Sequence, residues 1–148
     1  MTNINGLYIN ALLADAAYAE DIRDGLSGEA LAGLLALRMT QPQAAYIAAN
    51  FSVASHIESN DSTSSGFDAT VWQGNDGTPY AGKVYVSIQG TQGLGDFLSD
   101  IDLATNGAAR AQYVDMVNWW LRITTPTNRY VPQIRLAIGV GGYYFESA

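Results

Sequence analysis

The chain has 148 residues, enough for one domain with a sizeable core. Fourteen acidic residues face seven basic ones, so the net charge is −7. This balance argues against nucleic acids and anionic membranes as partners, because both are bound through clustered Lys and Arg side chains. The absence of cysteine excludes disulfides, thiolate zinc sites and a cysteine nucleophile.

No apolar run approaches the length of a membrane span. Residues 1–24 lack the basic start of a Sec signal peptide and turn acidic after their apolar part. We therefore expect either a cytoplasmic bacterial protein or one secreted without a cleaved N-terminal signal. Composition does not choose between the two.

Three helices are predicted at the start of the chain. Residues 7–20 carry apolar side chains at helical spacing. Ser27 is placed to cap a second helix, whose leucines share one side. Thr40 is placed to cap a third helix that has Pro42 in its first turn and runs to about Asn50.

The pattern then changes to strands. Alternation and β-forming residues predict strands over 51–59 and 67–74, which read as a hairpin-like pair. A third strand is predicted over 83–90. It is apolar on both faces, so we expect it to be central and covered on both sides.

A long helix is predicted over 109–123, followed by a strand that begins near Gln133. Trp119 and Trp120 point about 100° apart on a helix, so one should pack in the core and the other at its rim. The element order predicts an α/β fold. The fold looks incomplete, because no helix follows to cover the last strand.

A glycine-rich elbow, Gly90 to Gly95, follows the third predicted strand. It matches neither a P-loop nor a dinucleotide motif, which argues against phosphate binding. One interpretation is a plain turn. The other is an oxyanion loop, in which Thr91 supplies an N–H and a hydroxyl to a developing alkoxide. Asp100 and Asp102 would then fix the loop or cap the next segment.

The stretch VYVSIQGTQGLGDFLSDIDL, residues 84–103, resembles the oxyanion stretch of the class 3 lipases. These are α/β-hydrolases related to fungal triacylglycerol lipases and to bacterial exported lipases and polyester-degrading esterases. Their pattern is an apolar strand, Arg-Gly-Thr or Arg-Gly-Ser, a short loop and Asp-Trp-x-x-Asp. This chain has Gly90-Thr91 and then Asp96-Phe97-Leu98-Ser99-Asp100.

The resemblance extends to about residue 126, because LADAAYA and YVDMVNWWLRITTP look like the bacterial, calcium-dependent branch. Gln89 stands where the family usually has Arg, and Phe97 stands where Trp is common. These departures affect the ionic bracing of the loop and leave its backbone geometry as expected.

The resemblance implies roles for three residues and a substrate class. Thr91 would be the first oxyanion-hole residue, and Gly90 and Asp100 would support the loop. The parent protein would hydrolyse carboxylic esters such as acylglycerols through an acyl-enzyme, as part of lipid metabolism. It could carry calcium, but no metal or other cofactor is predicted for this chain, because Asp96, Asp100 and Asp102 fit a calcium loop poorly.

The nucleophile of such an enzyme is missing from the chain. No Gly-x-Ser-x-Gly elbow is present, and Ser27 has its glycine in the wrong place. The single histidine, His56, precedes the oxyanion loop, whereas the family order places it near the end. We expect it to be a packed or surface residue of its strand.

We therefore predict that residues 1–148 are a single, partial α/β-hydrolase domain that ends before the nucleophile elbow. It would supply the oxyanion loop of a lipase and be inactive alone. Apolar strand surface would be exposed, and the chain would self-associate through it. The alternative is a small α+β binding or interaction module without catalytic activity.

Overall fold

The computed structural model describes residues 4–57, 67–89, 107–137 and 142–145. The chain divides into two compact units, Met1–Ser59 with Asp68–Thr91, and Asn60–Phe67 with Gln92–Ala148. Within the described residues, the first unit holds three helices and a three-stranded sheet, and the second holds one helix and a two-stranded sheet. The single domain stays a prediction.

The helices of the first unit are α1 (Ile4–Ala16), α2 (Gly28–Leu35) and α3 (Gln41–Asn50). At the start of α3, Gln43 Oε1 accepts hydrogen bonds from the Thr40 main-chain N–H at 3.2 Å and from its hydroxyl at 2.7 Å. Pro42 lies in the first turn, where its missing N–H costs little. Ser27 takes the predicted extended position before α2, but its hydroxyl makes no capping hydrogen bond.

A three-stranded antiparallel sheet follows the helices, with the strand order β1 (Phe51–Ile57), β2 (Asp68–Gly74) and β3 (Val84–Gln89). The pairing of β1 with β2 shifts between Val53 and Ser55, which marks a β-bulge. At the end of β2 the main chain of Tyr80 approaches closely. A Cβ on Gly74 would lie 1.9 Å from the Tyr80 carbonyl oxygen.

The central strand is β2, and the prediction that β3 is central and covered on both faces was wrong. Residues on both faces of β2 are buried: Thr70 and Trp72 on one face, and Ala69 on the other. In contrast, Val84 and Ile88 of β3 are 57% and 51% exposed. Among the described residues, β3 pairs only with β2. The polar Thr70 interrupted the apolar pattern of β2, and its burial was therefore not evident from the sequence.

The core of the first unit lies between its helices and one face of the sheet. It draws side chains from all three helices and from two strands. The largest of its fully buried side chains are Leu13, Leu31, Leu35, Ile47, Phe51, Val53 and Trp72. Burial of each such side chain contributes about 1.5–3 kcal/mol. The Phe51 ring also packs against Tyr80 and Tyr85, with centroids 4.7 Å and 5.5 Å away.

The second unit contains α4 (Gly107–Thr124) and the antiparallel pair β4 (Ile134–Ala137) and β5 (Gly142–Phe145). The side chain of Asn118 links α4 to β4. Its Nδ2 donates to the Ile134 carbonyl at 3.1 Å, and its Oδ1 accepts from the Ile134 N–H at 2.6 Å. One buried amide thus satisfies both main-chain groups of the first residue of β4.

The two adjacent tryptophans of α4 divide as the helix geometry predicts. Trp119 is 2% exposed and packs against Phe67 with ring centroids 5.6 Å apart. Trp120 is 49% exposed. The prediction of one core and one rim tryptophan is confirmed.

The chain therefore mixes helices and strands, which confirms the coarse α/β prediction. The N-terminal helices, the hairpin and the long helix lie where the sequence predicts them. All described strand pairs are antiparallel. The specific α/β-hydrolase fold stays a prediction. In the part of the chain that the structure describes, no helix is both long and apolar enough to cross a bilayer.

Candidate functional site at the end of strand β3

The predicted oxyanion loop begins where the described part of β3 ends. Six residues singled out in the sequence lie outside the described residues: Gly90, Thr91, Asp96, Phe97, Asp100 and Asp102. Their predicted roles are therefore untested. The structure does describe the residues that precede the predicted loop. These are the last side chains of β3 and the residues that contact them.

Gln89 anchors the end of β3 to the first helix. Its side-chain Nε2 donates a hydrogen bond to the main-chain carbonyl of Ala17, one residue beyond α1. Carbonyls at the end of a helix lack intrahelical partners and carry partial negative charge, so they are good acceptors. Gln89, which stands where the lipase pattern has Arg, is thus held by a hydrogen bond between two uncharged groups.

A polar row crosses the core face of the sheet two residues before that anchor. The strand register places His56 opposite Thr70 and Thr70 opposite Ser87. His56 Nδ1 lies 2.9 Å from Thr70 Oγ1, and the Trp72 indole N–H donates to Ser87 Oγ at 3.1 Å. Thr70 is 0% exposed and Ser87 is 8% exposed. These hydroxyls serve as hydrogen-bond partners in the interior.

The bulge in β1 creates this row. Before the bulge, Phe51 and Val53 point to the core; after it, His56 pairs with Thr70 on the same face. If the register continued from Val53 without a shift, His56 would lie opposite Ala69 on the other face of the sheet, because successive residues of a strand alternate. The position of the histidine is therefore a product of strand irregularity.

The contacts of His56 are those of a packed strand residue. Its main-chain N–H donates to Asp24 Oδ1 at 2.5 Å, so this carboxylate binds the histidine backbone. The ring is half-buried and contacts the fully buried Thr70. The described geometry supports the packing interpretation.

Metal binding gains no support from the described residues. Within residues 4–57, 67–89, 107–137 and 142–145, no cluster of three His, Asp or Glu side chains is placed to hold an ion. The three aspartates considered for calcium lie outside these ranges.

Comparisons with known proteins give no relative. No family model, no curated protein and no solved structure matches this chain. The resemblance to class 3 lipases therefore rests on the residues of the chain alone, chiefly the strand and the Gly-Thr elbow.

Sequence reasoning missed the buried partners of this region, namely Thr70, Ser87 and the anchor of Gln89 on Ala17. One signal was present, because Ser87 is a lone polar residue between apolar neighbours in VYVSIQ. A hydroxyl in such a strand needs a partner when buried. The partner itself depends on the register and could not be read from the sequence.

Proposed function

We propose that this chain is the N-terminal part of a lipase-like carboxylic-ester hydrolase and contributes its oxyanion loop. The observation that carries the proposal is the β2–β3 hairpin, which ends at Gln89 directly before Gly90 and Thr91. A strand that stops at a glycine elbow is a suitable mount for main-chain N–H donors. The anchor on Ala17 holds the side chain of Gln89, the residue directly before the predicted elbow.

In the proposed reaction a serine from a segment outside this chain attacks the ester carbonyl. A general base of that segment takes the serine proton and returns it to the leaving alcohol. The carbonyl oxygen becomes an alkoxide, which the N–H and hydroxyl of Thr91 stabilise. The tetrahedral intermediate then expels the alcohol and leaves an acyl-serine, which water hydrolyses to the carboxylic acid. Oxyanion donors without a nucleophile give little rate enhancement, so the chain alone is expected to be inactive.

The outer face of β3 supports the proposal. Val84 and Ile88 are more than half exposed, and Val86 between them is half-buried. Soluble monomers seldom leave a contiguous apolar strand face in water. In a larger hydrolase domain, further elements would cover this face.

The test compares the 148-residue chain with a longer product of its gene that continues past Ala148. Both are treated with a fluorophosphonate, which labels activated serines. Their masses are then measured by mass spectrometry of the intact proteins. The chain alone should gain no mass and should not hydrolyse p-nitrophenyl butyrate. The longer product should gain one label. A label on the folded 148-residue chain would overturn the proposal.

Thr91 is tested in the longer product. Thr91→Val removes the hydroxyl and should lower kcat by about 10²–10³-fold with little change in KM, as expected for an oxyanion donor. Thr91→Ser keeps the hydroxyl and should retain most activity. Thr127→Val, at an exposed turn, is the matched control. Equal activity of the Val and Ser variants would show that the Thr91 hydroxyl is not an oxyanion donor.

The second candidate is a small non-catalytic α+β binding module. It is favoured by one observation, since every described strand pair is antiparallel. This candidate predicts a reading frame that stops after Ala148 and a stable monomer in sedimentation experiments. The hydrolase proposal predicts a continuing frame with a Gly-x-Ser-x-Gly motif.

A further inference from the structure

A cavity of about 710 Å³ opens where the turns after α1 meet the C-terminal end of α2. This volume lies within the range of small-molecule binding sites. Its walls combine two arginines, two acidic residues and two leucines: Arg23, Arg38, Glu20, Asp21, Leu34 and Leu37. The site lies in the first unit and is independent of the proposed ester hydrolysis.

Arg38 is held in place by groups of the protein. Its Nε donates to the main-chain oxygen of Asp15 at 2.8 Å, and its Nη2 donates to Asp15 Oδ1 at 2.8 Å. The guanidinium also lies over the Tyr18 ring, 5.4 Å from the centroid. The charge of Arg38 is thus compensated, and its side chain forms a rigid part of the wall.

Arg23 differs from Arg38 in its partners. Its Nη1 donates to the main-chain oxygen of Asp21 at 3.3 Å, and no carboxylate lies within ion-pair distance of it among the described residues. A guanidinium presents five N–H donors in a fork that matches a carboxylate. Arg23 therefore offers the cavity a recognition group for one carboxylate.

The acidic residues and the leucines narrow the choice of ligand. Glu20 and Asp21 add negative charge to the cavity wall, which suits a cationic group of the ligand and disfavours a polyanion. Asp21 also has a φ of 61°, in the left-handed region. Leu37 is 90% exposed, so an aliphatic group lying on it and on Leu34 would remove apolar surface from water.

We propose that this cavity binds a small zwitterion with an aliphatic side chain, an α-amino acid of the leucine type. The carboxylate pairs with Arg23, and the α-ammonium pairs with Glu20 and Asp21. The aliphatic side chain covers Leu34 and Leu37. Each class of wall residue thus meets the ligand group of matching chemistry.

The test is calorimetric titration of the intact chain with L-leucine and three analogues. The analogue 4-methylpentanoate lacks the ammonium, isoamylamine lacks the carboxylate, and glycine lacks the aliphatic group. Leucine should saturate the site with a Kd of about 1 mM or tighter. Each analogue should bind about tenfold more weakly than leucine or not at all. Absence of saturation by about 10 mM leucine would overturn the proposal.

Variants locate the binding. Arg23→Gln and Asp21→Asn should each weaken leucine binding about tenfold, and Asn tolerates the left-handed backbone at this position. Arg129→Gln, an exposed arginine of the other unit, should bind leucine like the unchanged chain. Circular dichroism checks that each variant is folded. Equal affinity of the unchanged chain and both cavity variants would place any leucine binding elsewhere and contradict the assignment.

Discussion

The Nδ1 of His56 and the hydroxyl of Thr70 lie 2.9 Å apart across the β1–β2 ladder, on the core face of the sheet. The contact joins the single histidine of the chain to a fully buried hydroxyl. Such a pair is worth about 0.5–1.5 kcal/mol, and breaking it leaves the buried partner without that bond.

The His56–Thr70 contact predicts non-additive effects on stability. His56→Ala and Thr70→Val should each lower the free energy of unfolding by about 1–2 kcal/mol. The double variant should lose about 0.5–1.5 kcal/mol less than the sum of the two single losses. The reason is that either single substitution already breaks the shared hydrogen bond, which can be lost only once. Urea unfolding of the four proteins gives the coupling energy. Strict additivity would show that the contact contributes nothing.

The same substitution at two glycines should have opposite effects. At Gly74 a methyl group would collide with the Tyr80 carbonyl, so Gly74→Ala should destabilise the first unit by about 2–4 kcal/mol. At Gly6, in α1, a Cβ meets nothing within 4 Å. Gly6→Ala should therefore stabilise the chain by about 0.5–1 kcal/mol through helix propensity. Thermal unfolding compares them, and two changes of the same sign would contradict the geometry.

Local rules predicted the helices and the split of Trp119 and Trp120, because periodicity, caps and the helical angle are properties of neighbouring residues. The strand order of the sheet was harder to predict, because the identity of the central strand depends on pairing between segments that are distant in the sequence. The sequence predicted β3 for the centre, but the structure has β2 there. The strand β5 was missed, because its four residues follow glycines and gain their β structure by pairing with β4.

The candidate site was predictable only in part. The sequence predicted a strand over 83–90, and the structure has β3 over Val84–Gln89. It could not reveal the anchor of Gln89 on Ala17 or the partner of His56. The first joins positions 72 residues apart, and the second depends on one bulge in β1. Contacts of that kind follow from register and packing.

The hydroxyls of Tyr46 and Tyr80 lie 2.7 Å apart, which predicts an unusual titration. The hydrogen bond to Tyr80, followed by burial, raises the pKa of Tyr46 from 10.0 to about 12. The folded chain thus holds this proton more tightly than the unfolded chain does. The resulting stabilisation is complete below pH 10 and is lost as the pH rises toward 12.

Tyr80→Phe should lower the pKa of Tyr46 toward 10.0, because the largest cause of the shift is removed. The ultraviolet absorbance of ionised tyrosine, followed against pH, measures this change. Tyr113→Phe, an exposed position on α4, is the control and should leave the high-pH transition in place. A transition unaltered by Tyr80→Phe would mean that another group raises the pKa.

The exposed face of β3 predicts concentration-dependent association of the isolated chain. Val84 and Ile88 present apolar surface, and exposed strand faces and edges are sites of self-association. The double variant Val84→Thr, Ile88→Thr keeps β-branched side chains and adds hydroxyls, so the strand should persist while its face becomes polar. Sedimentation velocity should show associated species for the unchanged chain and a larger monomer fraction for the variant.

Leu37→Thr is the matched control, because Leu37 is more exposed than either residue but lies next to α2 and away from the sheet. If association is caused by apolar exposure in general, this variant should reduce it as well. If it is caused by the β3 face, only the double variant should do so. A monomeric unchanged chain would contradict the prediction and favour the self-contained binding module, whereas association abolished only by the β3 changes would support the partial hydrolase domain.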